Sequence, residues 1–355
     1  MFTRFEITGF RGFDHLAIES LARVNLIAGK NNVGKTALLE AMFLHIGAHN
    51  PELPLRVNAI RGIERFPIQP EEVWGWLFYD KRTDKPILLG SQDDQGLERK
   101  LEIRLVASET VTPAGNDSRG RGDPGGFVIT TDVSRDLVLE YSDSGGRHAE
   151  ARATLTADRE IKARRSGSAI SAPGIYLGAT ARFTSEDAER FSNLERVGKA
   201  DSLLSALRLL EPRLTRLTVL VTAGAPMIHG GIGLRELMPL PVMGQGMVRL
   251  CAIMLAIANV PGGTLLVDEI ENGLHHTVLP DVFKAIGQAA RISDVQVFAA
   301  THSWECIEAA HAAFLADPAY DFRLHRLERV KGQIKDFVFD AESLGVALEA
   351  GLEVR

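Results

Sequence analysis

Val24-Asn25-Leu26-Ile27-Ala28, running straight into Gly29-Lys30-Asn31-Asn32-Val33-Gly34-Lys35-Thr36, is the stretch on which the fold turns. The first five residues are mostly apolar and read as a buried strand. The next eight have the spacing G-x-x-x-x-G-K-T. Beyond them Leu38, Leu39, Met42, Phe43 and Ile46 recur at helical intervals. Strand, glycine loop and helix is the context that a phosphate-binding loop requires. The glycines let the backbone curl so that successive N–H groups face one phosphate, and the helix N-terminus reinforces them. Gly29, Lys30, Asn31, Asn32, Val33 and Gly34 are therefore the expected cradle. Lys35 is placed to reach the β- and γ-phosphates of a nucleotide, and the Thr36 hydroxyl to hold Mg²⁺. The competing reading, a tight turn before a helix with an exposed lysine, has the flanking strand and helix against it.

A phosphate loop of this kind needs a carboxylate at the end of a neighbouring buried strand. Thr264-Leu265-Leu266-Val267-Asp268-Glu269 supplies one. Asp268 is expected to face the metal, and Glu269 to act as general base toward water. Acids just past a strand also serve as helix caps, which is the alternative. Asp268 follows Lys35 by 233 residues, far more than a compact βαβ unit needs, so a large insertion divides the site.

The whole chain sets the frame. Its 355 residues are 45% hydrophobic and 24% charged, ordinary values for a globular protein of two to three domains. Forty Lys and Arg against 46 Asp and Glu leave a net charge of −6, which argues against a generally basic nucleic-acid coat. Two cysteines, Cys251 and Cys306, cannot build a disulfide framework and suit a reducing compartment. The opening residues lack the pattern of a signal peptide, and the longest apolar run, Leu250 to Ile257, is short of the ~20 residues that cross a bilayer. The expectation is a cytoplasmic protein with no membrane partner.

Along the chain, short strands are predicted at Phe5–Thr8, Leu101–Val106, Phe127–Ile129, Leu137–Tyr141, Thr264–Val267 and Val295–Ala299. A hairpin is expected at Leu324–Arg329 and Ile334–Phe339. Helical patterning covers Thr184 to Leu217, with Leu203, Leu204, Leu207 and Leu210 on one stripe, and recurs at Met247–Ala258, Thr277–Ala290 and Glu305–Ala316. Thr112 to Gly126 and Ser142 to Ser171 have the composition of exposed excursions. The division that follows is residues 1–105 as the first half of the nucleotide-binding unit, 106–237 as an insertion, and 238–355 as the second half.

These features together resemble the ABC-type ATPases of the SMC, RecF and OLD-nuclease group, and more closely the prokaryotic AAA-domain ATP-binding proteins related to OLD and RecF. Four further stretches carry the resemblance. Phe5-x-Ile7-x-x-Phe10-Arg11-Gly12-Phe13 is similar to the group's first strand and turn, which implies that Arg11 lies near the nucleotide. Glu271-Asn272-Gly273-Leu274-His275 resembles the D-loop, a subunit-contacting segment. Thr301-His302-Ser303 resembles the switch-histidine motif, with His302 on the γ-phosphate. Met243-Gly244-Gln245-Gly246-Met247-x-Arg249 stands where the group carries its signature, although no serine precedes the glycines. Gly244, Gln245 and Gly246 are thereby implied to close over ATP bound by a second copy, in a head-to-tail homodimer holding two ATP molecules. The implied fold is α/β: an ABC-type P-loop NTPase head, a mixed sheet with flanking helices, with an inserted compact α+β lobe. Residues 50–235 show no sustained heptads, so no coiled-coil arms are expected. About 50 residues follow Ser303, too few for the nuclease domain that OLD proteins append.

Several constellations stay open at this level. His275 and His276 with nearby acids could form a transition-metal site, or could cap and pack a helix start. Trp74, Trp76 and Tyr79 could stack on a base or fill a core. The Lys162–Arg165 run with Arg152 and Arg159 could meet DNA phosphates or be a solvated face. Gln69 and Gln92 are both candidates for the glutamine that such ATPases place near Mg²⁺. Two functions remain in play. One is a Mg²⁺-dependent ATPase serving DNA maintenance or anti-phage defence beside an effector nuclease or toxin encoded nearby. The other is a non-hydrolysing, ATP-gated scaffold that recruits such an effector.

Overall fold

The computed structural model describes residues 1–61, 74–107, 135–155, 161–168, 172–180, 184–222, 224–317 and 319–355. The expected strand at Phe127–Ile129, the Thr112–Gly126 excursion, Arg159 and Gln69 lie outside these residues.

The stretch from Val24 folds as read. β1 (Phe2–Phe10) and β2 (Phe13–Ile18) form a hairpin, β3 (Val24–Ala28) enters the loop, and α1 (Lys35–Ile46) leaves it. After α2 (Leu53–Ile60) come β4 (Ile87–Asp93), β5 (Glu98–Ala107), β6 (Arg135–Asp143), β7 (His148–Leu155) and β8 (Ile161–Gly167). With β2 and β1 they make an antiparallel sheet in the order β2-β1-β4-β5-β6-β7-β8. The sequence expectation of an exposed excursion from Ser142 to Ser171 is corrected here. Alternating small and charged residues in β7 put Ala149, Ala151 and Ala153 on the buried face and leave the charges outside. Small residues on the core face hid the strand, because its period-2 signal is carried by alanine rather than by large apolar side chains.

β9 (Gly174–Leu177) then joins a second sheet. α3 (Ser185–Arg196), α4 (Ala200–Leu207), β10 (Arg216–Thr222), β11 (Ala225–Gly231) and β12 (Met238–Pro239) form a small lobe whose three strands pair in sequence order. Thr184 starts α3 with a capping box against Asp187. Of the leucine stripe, Leu203 and Leu207 are fully buried, and Leu204 and Leu210 pack against the same core.

The second half supplies α5 (Gln245–Asn259), β13 (Thr264–Val267), α6 (Leu279–Ile292), β14 (Gln296–Ala300), α7 (Trp304–Leu315), β15 (Phe322–Val330), β16 (Gln333–Phe339) and α8 (Ala341–Glu349). The central sheet runs β16-β15-β3-β14-β13-β9, parallel throughout except for β16. Its inner strands are buried on both faces. Leu26 and Val297 point into one apolar cluster with α5, α6 and α7, and Ile27 and Phe298 into another with α1 and the antiparallel sheet. Helix α1 thus lies between two sheets, which is why Ala37, Leu38, Leu39, Ala41, Met42 and Leu44 are all buried rather than a single stripe. The divisions at 105 and 237 cross continuous structure. The antiparallel sheet runs from β5 into β6, and β9 sits in the central sheet beside β13. The architecture is a mixed sheet with flanking helices and an α+β lobe, and no coiled-coil arm occurs among the described residues.

Candidate active site

The parallel strands β3, β13 and β14 end at one edge of the central sheet, and the loops beyond them carry the site. Gly29 opens the first loop at φ 147°, and a Cβ there would stand 2.6 Å from the Leu327 carbonyl oxygen and 2.7 Å from Val33 Cγ1. Gly34, at φ 111°, heads α1, and a Cβ there would meet the Phe13 ring at 2.7 Å. The loop's curl therefore depends on both glycines being bare. Gly29→Ala is expected to cost about 1–3 kcal/mol of stability, from the sum of clash and backbone strain. A denaturant midpoint equal to wild type would refute it.

Helix α1 has no side-chain cap, so its first N–H groups face the loop. Lys35 folds back over the cradle, its Nζ donating to the carbonyls of Gly29 at 2.6 Å and Lys30 at 3.1 Å. Burial lowers its pKa from the ordinary lysine value, opposed by the charges of Asp268, Glu271 and Glu269. The two halves of the chain meet directly. The Thr36 hydroxyl donates to Asp268 Oδ2 at 2.9 Å. Burial pushes the Asp268 carboxyl above its usual range, and the Thr36 hydrogen bond pulls the other way. A hydroxyl and a carboxylate converging at a cradle of backbone N–H groups form a hard-oxygen donor pair that fits Mg²⁺.

Glu269 departs from the strand at φ 50°, a left-handed conformation rare for a residue with a side chain. Asn272 Nδ2 donates to its Oε2 at 2.6 Å and to the Ala179 carbonyl at 3.1 Å. Beneath this turn lies Arg249, 1% exposed, on α5. Its guanidinium donates to the carbonyls of Gly178 at 2.7 Å and Glu269 at 3.0 Å, and also to that of Asp268. Sequence reading placed Arg249 within the signature-like stretch but gave it no role. The available signal was a lone cation on an otherwise apolar helix face.

His302 stands just past β14, half exposed, beside Glu271. Gly244 (φ 116°) begins α5, which has no side-chain cap. Gly244 and Gln245 are exposed, while Gly246 and Gly273 pack backbone to backbone. Arg11, which the resemblance puts near the nucleotide, lies with its guanidinium against α1. Its Nε lies 2.8 Å from Glu40 Oε2, and its Nη2 donates to Asn58 Oδ1 at 3.2 Å. Glu40, fully buried on α1, also receives two bonds from Arg61, at 2.7 and 3.0 Å. A buried carboxylate between two guanidiniums thus holds Arg11 against α1, because a desolvated Glu requires charged partners.

The remaining candidates separate. Trp74 is core, whereas Trp76 is exposed with Lys81 Nζ 3.6 Å above its ring. His275 accepts from the Thr277 N–H, and its ring lies 4.2 Å from that of His276 at a tilt of 37°, a capping and packing role. Gln92 pairs with Arg4, six residues along β1 from the turn that touches the loop, so about 20 Å of strand separates it from the site. Cys251 and Cys306 are buried thiols. Lys162, Arg164 and Arg165 are exposed on the edge strand β8, and Arg165 donates to Asn50.

Residues 122–307 match the family described as "AAA domain, putative AbiEii toxin, Type IV TA system", and residues 4–87 match a second AAA-domain family. An "ATP/GTP phosphatase" of Helicobacter pylori is 21% identical over 334 residues, 85% of each chain. An uncharacterized protein of Methanocaldococcus jannaschii is 44% identical over 48 residues, 14% of this chain and 22% of its own. Among solved structures, the Pyrococcus furiosus Smc head domain bound to the C-terminal domain of ScpA aligns with 98% of this chain and 98% of its own, at TM-score 0.50 and 12% identity. That likeness concerns the fold.

Proposed function

The chain belongs to the AAA-domain family described as "AAA domain, putative AbiEii toxin, Type IV TA system", within the ABC-type ATPase group, and on that premise we propose that it binds ATP with Mg²⁺ and hydrolyses it to ADP and phosphate. The observation that carries this reading is the 2.9 Å bond between Thr36 and Asp268, which joins the phosphate loop to the acidic strand. In this reading Gly29 to Gly34 cradle the phosphates and Lys35 exchanges its loop carbonyls for the β- and γ-phosphate oxygens. Thr36 and Asp268 would hold Mg²⁺, which when bound offsets charge on the phosphates. Glu269 takes a proton from the water that attacks the γ-phosphorus, the bond to the β–γ bridging oxygen breaks, and ADP leaves with that electron pair. The proton goes to Oε1, while Oε2 stays on the Asn272 amide. His302 contacts the γ-phosphate.

The exposed, uncapped start of α5 at Gly244 and Gln245 supports a head-to-tail dimer in which this end receives the γ-phosphate held by a second copy. The name of the Helicobacter pylori relative supports hydrolysis and adds GTP as a substrate to test. The family description fits a role in toxin–antitoxin or phage-defence biology, with an effector encoded nearby and DNA as a partner to test. One observation favours the second reading, an ATP-gated scaffold: the Glu269 carboxylate is already engaged by Asn272.

Lys35→Ala decides nucleotide binding. Loss of charge-assisted bonding worth about 1.5–3 kcal/mol is expected to weaken ATP binding by about one to two orders of magnitude. Equal affinity of variant and wild type for a fluorescent ATP analogue would remove the proposal. Phosphate release by wild type separates the enzyme from the scaffold.

A further inference from the structure

The segment after Glu269 does more inside its own chain than present a surface. Ile270 N–H donates to the Ala300 carbonyl at 3.0 Å, pinning the turn to the end of β14. Glu271 then reaches the residues that follow that strand. Its Oε1 accepts from the Thr301 hydroxyl at 2.7 Å and from the His302 backbone N–H at 3.2 Å, and lies 3.5 Å from His302 Nδ1. Thr301 is fully buried, and its own N–H donates to the Ile27 carbonyl, two residues before Gly29. Its hydroxyl also accepts from the Ser303 N–H at 3.1 Å. One carboxylate oxygen therefore collects the hydroxyl, the backbone and the imidazole of a three-residue loop that hangs from the strand next to the phosphate loop.

We propose that Glu271 is the positioning residue for His302: it fixes the loop backbone and turns Nδ1 inward, so that Nε2 is the nitrogen offered to the γ-phosphate. This rests on the ATPase reading above. A carboxylate oxygen 3.5 Å from Nδ1 favours the tautomer with its hydrogen there, which leaves Nε2 as the nitrogen facing away from Glu271. Orientation by a group behind the imidazole is the general way in which a histidine is held for work on a substrate. Glu271 touches neither nucleotide nor water in this scheme, and it acts only through the His302 loop. Its neighbour Asn272 holds Glu269, so two consecutive side chains set the γ-phosphate contact and the base from one turn.

The experiment is a double-mutant cycle on full-length protein, with phosphate release and analogue binding both measured. Glu271→Ala is expected to lower kcat about tenfold or more while KM and analogue affinity change less than about threefold. Glu271→Gln keeps an oxygen at the Oε1 position and is expected to recover most of that rate. In the His302→Ala background, Glu271→Ala is expected to add nothing further, because two residues acting as a unit are not additive. Multiplicative losses in the double variant, a Glu271→Ala kcat within about twofold of wild type, or no recovery with Gln would each overturn the proposal. Wild-type turnover and its loss in Lys35→Ala are read in the same assay, so failure of the ATPase reading shows itself separately.

Discussion

Glu269→Gln is expected to leave ATP binding at wild-type strength and to cut phosphate release by about 10²–10⁴-fold, the usual contribution of a positioned general base. The substitution is nearly isosteric. Asn272 Nδ2 can still donate to the oxygen of the new amide as it does to Glu269 Oε2 at 2.6 Å, so the turn keeps its shape. What disappears is the ability to take a proton from water. Asp268, one residue earlier, cannot replace it, because its Oδ2 is engaged by Thr36 and it faces the phosphate loop. If the head closes as a head-to-tail dimer, the blocked variant should also hold ATP and remain dimeric, visible by light scattering with and without ATP. Turnover at the wild-type rate would remove Glu269 from the mechanism and leave the phosphate-loop assignment standing.

Arg249→Met is expected to destabilise the protein by about 3–5 kcal/mol, because buried carbonyls left without a donor cost about 1–3 kcal/mol each. Methionine fills similar space. It cannot serve the carbonyls of Gly178, Asp268 and Glu269, each of which then lies in the interior without its donor. Two of those carbonyls belong to the acidic pair itself, and Glu269 sits in a left-handed conformation that costs on the order of 1–3 kcal/mol to maintain. With that clamp gone the turn is expected to relax, so hydrolysis should fall along with stability. A melting temperature lower by roughly 4–7 °C is the readout for a chain of this size. An unchanged melting curve would mean that solvent or neighbouring N–H groups replace the guanidinium, and that Arg249 does not hold the acidic turn. Arg249 lies on the helix that begins just after Gly244, so it also ties the exposed glycine end of α5 to the backbone of Glu269.

The residues whose chemistry is local could be read without coordinates. Gly29, Gly34, Lys35 and Thr36 announce themselves because a phosphate cradle imposes a fixed spacing on a continuous segment. Asp268 and Glu269 follow because the strand before them is apolar and short. Side chains that work on the backbone of distant segments left no such mark. Arg249 reads as one cation in an apolar helix, Glu40 as a polar position on another, and Glu271 as part of a surface turn. Their partners lie tens to hundreds of residues away, so no spacing rule relates them. β7 was missed for a related reason: its core face is alanine, too small to register as an apolar stripe, and it is buried only because β6 and β8 lie on either side.

The sequence by itself determined the order of strand, loop and helix, the candidate phosphate-binding and acidic segments, and the absence of heptads between them, since each of these is a property of neighbouring residues. Only the tertiary structure decided that Thr36 and Asp268 touch, that Glu40 holds Arg11 against α1, and that Arg249 and Glu271 brace the acidic turn and the His302 loop. Those are contacts between segments brought together by a parallel sheet whose strand order departs from chain order, and such an order is set by packing of the whole core rather than by any stretch of it.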